Sequence, residues 1–585
     1  MYLLRDTQAL MTSIGHRLPD TSNDPDVLVA GLSAVTGVGH VLTDARHTRF
    51  YRTGFRTGAG DALAVARPGS LVELWKTLEV CARFGAPVIL QAANTGLTGG
   101  STPAPGGYDR PVVIVSTRRI KGVTVINDGR QVVCLPGATL FDLEKILRPL
   151  GREPHSVIGS SCFGASVIGG VCNNSGGSLV QRGSAFTEYA LFARSTADGG
   201  IELVNHLGID LGEDPVEILR TLDDGRFGQA IDDGRRASDT GYVRQVRQID
   251  SDTPARHNAD PRCLHEASGS AGKLAVFAVR LDTFPLEADS RTYYVGCNDP
   301  ARLTDLRRRI LRDGQSLPIA AEYLHREAFD LADSYGKDQF LLIDRLGTDR
   351  LPQFFALKSW LEGTLAQLSW LRSNPIDRLL HAVAKLFPDH LPKRMRQWRA
   401  RFEHHLLIKT SAAAAPEMEM LLADWEGNDG SGVFECTPDE ARKAFLHRFV
   451  IAGAAIRYQA IHGRQVAGVL SLDIALRRND TDWFEALPPE IAAQVVHRIY
   501  YGHFLCHVLH QDYVLVVGAD VAAIRAAMLA KLDTRGARYP AEHNVGNAYN
   551  AAPELAAFYQ TLDPANLFNP GIGRTSRKRN HGAPQ

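Results

Sequence analysis

Two glycine-rich segments lie about sixty residues apart in this chain of 585 residues: Gln91-Ala-Ala-Asn-Thr-Gly-Leu-Thr-Gly-Gly-Ser101 and Gly159-Ser-Ser-Cys-Phe-Gly-Ala-Ser-Val-Ile-Gly-Gly-Val-Cys-Asn-Asn-Ser-Gly-Gly-Ser178. Glycine admits positive φ and lets backbone come close to a ligand, and consecutive free N–H groups make a concavity that holds a pyrophosphate without a lysine. The pair therefore predicts a dinucleotide cradle built from two loops.

Neither segment is a nicotinamide or triphosphate fingerprint. Gly37-Val-Gly39 lacks the third glycine and the spacing of G-x-G-x-x-G, and Gly272-Lys273 is followed by leucine rather than Ser or Thr. The remaining candidate is FAD. Around the first loop, residues 61–90 read as strand, helix, strand: Ser70 is an N-cap and Leu71, Leu74, Trp75 and Leu78 share one helical face. Val112–Val115, Val123–Ile126 and Gln131–Leu135 follow as short β-branched runs, with Asn127-Asp-Gly129 as a hairpin signal and a helix over Leu140–Leu147. This mixture predicts an α+β domain rather than a doubly wound one. The charged, Asp- and Gly-rich stretch 212–241 reads as a surface insertion.

With 65 basic and 65 acidic side chains the chain carries no net field that would gather nucleic acid. Its eight cysteines are scattered without a C-x-x-C pair, which argues against a disulfide framework and a zinc knuckle. Met1–Asp6 meets charge before any apolar run, so the sequence predicts no secretory signal and cytoplasmic synthesis. No stretch approaches the roughly 20 apolar residues of a spanning helix.

Between Lys358 and Lys409, Trp360, Trp370 and Trp398 interleave with Arg372, Arg378, Lys385, Lys393, Arg394, Arg396, Arg399 and Arg401, against four acidic residues. On residues alone this is a lipid-facing surface, a solvated helix pair or an RNA-facing surface. The basic end Arg574–Gln585 lacks apolar periodicity and predicts a disordered tail.

The two loops, with Arg152-Glu-Pro-His-Ser-Val-Ile-Gly159 leading into the second, resemble the vanillyl-alcohol-oxidase (PCMH-type) FAD domain. More narrowly, the chain resembles the respiratory, quinone-dependent D-lactate dehydrogenase family. Segments that carry this are Val204–Gly212, Asp252-Thr-Pro-Ala-Arg256, Gly272–Arg280, His404-His-Leu-Leu407, Lys443–Phe449, Ala475–Asp480 and Tyr539-Pro-Ala-Glu-His-Asn-Val-Gly546. The resemblance implies an FAD-binding domain over 1–284 and 534–585. It also implies an α+β cap over 285–326, 404–441 and 464–533, and a basic helical membrane-docking region over 327–403 and 442–463. It further implies D-lactate as substrate, membrane quinone as electron acceptor, an anionic lipid surface as partner, and a peripheral place on the cytoplasmic side of the inner membrane. Another D-2-hydroxy acid is the alternative substrate.

By the same resemblance the cofactor contacts fall on Ala92, Ala93, Asn94, Thr95, Gly96, Gly100 and Ser101, then Gly159, Ser166 and Gly176, with a backbone contact at Val276. The first loop holds no His or Cys, so non-covalent FAD is expected. Oxidising a 2-hydroxy acid needs a base for the hydroxyl proton, and His543, beside Glu542, is the first choice. His503 and His510 share the seven-residue spacing by which related D-2-hydroxyacid dehydrogenases hold a divalent metal with a glutamate. Those relatives have a Gly-Asp-Gly-Asn turn between the two histidines. This chain has Phe-Leu-Cys-His-Val-Leu there, and on one uninterrupted strand the rings would face opposite sides. The metal stays undecided, and His503, His507 and His510 can equally be hydrogen-bonded core histidines. For the substrate carboxylate, Arg457 and Arg477 are the candidate guanidinium groups, with surface ion pairs as the competing reading.

Overall fold

The computed structural model describes residues 24–156, 164–347, 375–426 and 430–582. The first sheet joins β1 (Val41–Leu42), β2 (Ala64–Ala66), β3 (Val88–Gln91) and β4 (Val113–Ser116) in the order β1-β2-β4-β3, parallel except for β1. The helix Leu71–Arg83 starts where Ser70 Oγ accepts the Glu73 N–H, and its buried Leu71, Leu74, Trp75 and Leu78 pack toward this sheet. β3 ends at Gln91, so the first glycine segment opens from a strand's carboxyl end.

The second sheet is antiparallel. Its strands come from β5 (Val123–Ile126), β6 (Gln131–Cys134), β8 (Ala190–Ser195), β9 (Ile201–Asn205) and β10 (Ala275–Asp282) in the order β5-β6-β10-β8-β9. The short β7 (Arg152–Glu153) and β11 (Phe284–Pro285) pair beside it. The expected helix Leu140–Leu147 is present, capped by Thr139. Of the stretch 212–241 read as a surface insertion, residues 223–234 are mostly exposed, but the helix Pro215–Asp223 buries Ile218, Leu219 and Leu222 among the side chains of the helix Leu71–Arg83. Its charged average composition hid one apolar face.

The third sheet has seven antiparallel strands, β12 (Ser290–Cys297), β13 (Ala320–His325), β14 (His404–Ser411), β15 (Gly432–Glu435), β16 (Val466–Ala475), β17 (Val495–His503) and β18 (Val508–Val516), in the order β15-β12-β14-β13-β17-β18-β16. Helices Pro300–Asp313, Ala415–Trp425 and Val521–Thr534 cover one face through Leu306, Ile310, Met418, Leu422, Ile524 and Met528. Helices Arg326–Tyr335, Pro438–Phe449 and Ile451–His462 cover part of the other. Side chains alternate across a strand, so the residues of this second face that escape the helices form one polar patch.

The C-terminal end is packed rather than disordered as far as Gly582. Asn566 Nδ2 donates to the carbonyls of Ser576 and Lys578, both at 2.8 Å, and the Arg579 N–H donates to Asp109 at 2.9 Å. It is held by hydrogen bonds between its backbone and distant side chains, which leave no periodic trace in sequence. Among the described residues, no helix is long and apolar enough to cross a membrane.

Candidate active site

The first glycine segment forms an open loop. The Gln91 side-chain amide donates to the Tyr51 carbonyl at 2.8 Å and the Ser101 carbonyl at 2.6 Å, closing its base. Asn94 takes a left-handed φ of 56°, donates to the Thr53 carbonyl at 2.8 Å, and accepts from Ser101 Oγ at 2.9 Å. Among the described residues, the backbone N–H groups of 94–101 donate to no other backbone group. A Cβ added at Gly96 would meet nothing within 4 Å, so this loop presents free donors to open space. Such a cradle fits a pyrophosphate. Ala92, Ala93 and Thr95 line the same loop, half-buried, and Gly100 packs against the Asn544 amide, which a Cβ would approach to 2.6 Å.

Of the second segment, Gly159 lies outside the described residues. Ser166 Oγ accepts the Gly169 N–H at 3.1 Å and starts the helix Val167–Cys172. Gly176 lies against Glu542 and Arg256, where a Cβ would come within 2.9 Å of the Arg256 Cζ. Val276 borders a bulge in β10. The seven described cysteines are free.

Gly176 thereby joins the cradle to the polar patch of the third sheet. β17 and β18 are the arms of a hairpin in which Tyr501 faces His510 and His503 faces Val508. The turn Phe504–His507, with His507 at φ 60°, reverses the chain. It therefore places the His503 and His510 rings on one side, 5.3 Å apart and nearly perpendicular. The objection that a seven-residue offset would separate them does not apply, because the two lie on different strands. His507 is buried, its Nδ1 3.1 Å from the Arg477 carbonyl.

Glu322 on β13 and Glu542 flank His503, at 2.6 Å from Nδ1 and 3.1 Å from Nε2. Burial alone would lower the His503 pKa, but the two carboxylates outweigh it and hold the group up at about 10. It is an imidazolium at neutral pH. Burial would likewise raise Glu542, yet His503 and Arg256 hold it well below the usual carboxylate range. The Arg256 guanidinium reaches Glu542 Oε1 at 2.5 Å and Arg448 reaches Glu322 at 2.8 Å. Asp473 on β16 accepts the Glu542 N–H at 2.7 Å, lies 3.2 Å from His510 Nδ1 and 3.8 Å from His543 Nε2. His543 differs from His503: burial lowers its pKa and Asp473 only partly opposes this, so the ring is neutral.

His503, His510 and Glu542 offer donor atoms within 4.8 Å of one another, close enough for a metal. The protein already fills these donors: Glu542 holds Arg256, and His503 uses both nitrogens on carboxylates. Three carboxylates, Glu322, Glu542 and Asp473, face three cations, Arg256, Arg448 and His503. In this structure these carboxylates and cations pair with one another. A second acid-and-imidazole group, Asp333, Asp389 and His390, is likewise filled, by Arg396, which pairs with both aspartates.

The structure does not bring Arg457 or Arg477 to this cluster. Arg457, in the helix Ile451–His462, is buried between Asp338 at 2.7 Å and Asp377 at 2.9 Å. Arg477 follows β16 and packs its side chain at Gly536. Sequence reasoning missed Glu322, Asp473, Arg448 and Arg256. Arg256 and Arg448 stand in matched segments, but Glu322 and Asp473 come from strands that only the folded sheet aligns.

Of the basic segment, Trp360, Trp370 and Arg372 lie outside the described residues. In the helix Lys393–Arg401, Arg394 pairs with Glu440, Arg396 with Asp333 and Asp389, and Arg399 with Asp330. Leu379, Val383, Leu386 and Phe387 are exposed as well, at helical spacing along and just beyond Pro375–Ala384, with Leu386 85% exposed.

Comparison with known proteins bears on both halves. Residues 62–201 match the FAD binding domain family, and residues 292–581 match the family described as D-lactate dehydrogenase, membrane binding. The chain is 55% identical to the quinone-dependent D-lactate dehydrogenase of Escherichia coli (strain K12), covering 96% of this chain and 98% of that protein. It is 52% identical to the protein of that name from Haemophilus influenzae, over 94% and 98% of the two chains. Among solved structures, p-cresol methylhydroxylase superposes with a TM-score of 0.58 at 11% identity over 94% of this chain and 96% of that one. That likeness gives the fold: a PCMH-type FAD-binding architecture with an α+β cap.

Proposed function

This chain belongs to the quinone-dependent D-lactate dehydrogenase family, and on that premise we propose that the cluster around His543 oxidises D-lactate to pyruvate and that the electrons pass through FAD to membrane quinone. Bound in the cradle of 92–101, Ser166, Gly176 and Val276, without a covalent link, FAD would supply the two-electron acceptor.

The observation that carries the reading is the different setting of two imidazoles of the cluster, one clamped between two carboxylates and one with a nitrogen open to the site. His503, fixed between Glu322 and Glu542, is charged and has no lone pair to offer. His543 is neutral and keeps a third of its side chain accessible. With Nε2 turned toward Asp473, Nδ1 is the lone pair that takes the substrate hydroxyl proton. The Asp473 carboxylate then faces the imidazolium that forms, which favours the transfer. Glu542 keeps Arg256 and His503 in place, and its backbone N–H on Asp473 fixes the acid that orients the base.

Contact with the membrane, on the cytoplasmic side, is carried in this reading by the exposed apolar stripe Leu379, Val383, Leu386 and Phe387. Lys385 beside it favours anionic lipid. Arg394, Arg396 and Arg399 already pair with acids of their own fold, so in this reading they support the stripe's scaffold rather than binding headgroups.

The test is anaerobic. Purified protein is expected to be yellow and to bleach with D-lactate. Lack of flavin absorbance, or bleaching by L-lactate alone, overturns the proposal, and faster bleaching by another D-2-hydroxy acid moves the substrate.

A further inference from the structure

A 2-hydroxy acid brings a fixed carboxylate into the space between the cradle and the cap, and that anion needs a cation with donors to spare. Nearly every guanidinium around the cluster is engaged. Arg256 and Arg448 hold Glu542 and Glu322, and Arg478 is wrapped by the Gln245 and Thr253 carbonyls and by the Ser251 and Thr253 hydroxyls.

Arg56 is different. It sits in a tight loop closed by the Gly54 N–H donating to the Gly58 carbonyl at 2.8 Å. Thr57 Oγ1 ties that loop to the first glycine segment, donating to the Leu97 carbonyl at 2.8 Å. From there the Arg56 side chain crosses to the cap sheet, where Nη1 donates to Ser471 Oγ at 2.9 Å. Ser471 and Asp473 alternate on β16, so they share the face that carries His510 and the contact to His543. A guanidinium has five donors, and among the described residues Arg56 has no carboxylate partner; its Nε is enclosed and unsatisfied. The side chain as a whole is half-buried, so its remaining donors stay open to a ligand while the enclosed Nε has lost water without gaining a partner.

We infer that Arg56 binds the substrate carboxylate, so that a residue of the cofactor half and the base of the C-terminal half grip opposite ends of one hydroxy acid. Its charge acts on both His543 and Tyr501, which places it electrostatically at the same centre. Arg477 Nε is likewise enclosed and unsatisfied, but its side chain packs at Gly536 and makes no bridge to the first glycine segment among the described residues.

The inference rests on the 2-hydroxy-acid reading, and one experiment separates the two. Oxalate, a non-reacting dicarboxylate, is titrated into the FAD-loaded enzyme and its Kd read from the flavin spectrum, for wild type, Arg56→Gln, Arg56→Lys and Arg477→Gln. The loss of a charge-assisted hydrogen bond predicts a Kd roughly 10- to 150-fold weaker in Arg56→Gln, partly restored in Arg56→Lys. The KM for D-lactate should rise in parallel, with FAD content unchanged. Wild-type affinity in Arg56→Gln, the same loss in Arg477→Gln alone, or loss of FAD as the sole defect of both Arg56 variants overturns it. Failure of wild type to be reduced by any 2-hydroxy acid instead overturns the functional reading.

Discussion

His503 and Glu542 stand 39 residues apart in sequence and meet at 3.1 Å, at the seam between the cap sheet and the cofactor half. Glu542 also contacts Arg256 and crowds Gly176, so a single carboxylate couples the cradle, the hairpin β17-β18 and the base next to it in sequence.

The raised pKa of His503 makes stability depend on pH with a defined sign. A group lifted from 6.5 to about 10 contributes fully below 6.5 and loses its contribution as pH rises through about 10. The thermal stability gap between wild type and His503→Gln should therefore shrink between pH 7 and pH 10, by at most about 1.4 kcal/mol per pH unit. Glu322→Gln should flatten this slope. A gap that is constant over the range would show that His503 is neutral in the fold.

His543→Gln should lower kcat by roughly 10²- to 10⁴-fold while leaving FAD bound. Because burial lowers the His543 pKa, wild-type kcat/KM should fall on the acid side with an inflection below 6.5, and that limb should vanish in the variant. An unchanged acid limb in His543→Gln would assign the base elsewhere.

Since Arg256, Arg448 and His503 already balance Glu322, Glu542 and Asp473, a divalent ion would add charge to a closed set and have to displace Arg256. Turnover should survive prolonged dialysis against a chelator. Loss of activity that zinc or manganese restores would mean that His503, His510 and Glu542 ligate a metal instead.

On the membrane side, Leu386→Ser with Phe387→Ser should release the enzyme from anionic vesicles while a soluble dye is still reduced. Arg394→Gln with Arg399→Gln should lower the melting temperature, because each breaks an ion pair within the fold, and leave vesicle binding near wild type. Release by the arginine pair with an unchanged melting temperature would return docking to charge.

What could be read from sequence was local. The helix Leu71–Arg83 with its Ser70 cap, the helix Leu140–Leu147 and the hairpin at Asn127–Gly129 are written in neighbouring residues, and the structure has them there. The site was legible where two neighbours carry it, as in Glu542-His543. Arg457 misled because its partners Asp338 and Asp377 lie far along the chain, and an arginine in a helix carries no sign of a buried acid opposite it. Glu322 and Asp473 gave no signal either: each is an isolated acid in a mostly apolar strand, and only the pairing of Glu322 with His503 and of Asp473 with His510 brings them into the cluster.

Two alanine substitutions separate the cradle from the network. At Gly96 a Cβ meets no protein atom within 4 Å, so Gly96→Ala should fold and melt like wild type without cofactor, yet bind FAD more weakly, because the methyl enters the space beneath the free N–H groups. At Gly176 the same methyl collides with Glu542 and comes within 2.9 Å of the Arg256 Cζ. Gly176→Ala should thus disturb the pair that positions His503, lowering kcat and melting temperature even when FAD is saturating. FAD titration by fluorescence quenching, together with melting curves with and without cofactor, measures both. Equal FAD affinity in Gly96→Ala and wild type would place the pyrophosphate away from this loop, and a Gly176→Ala defect cured by excess FAD would reduce Gly176 to a cradle residue.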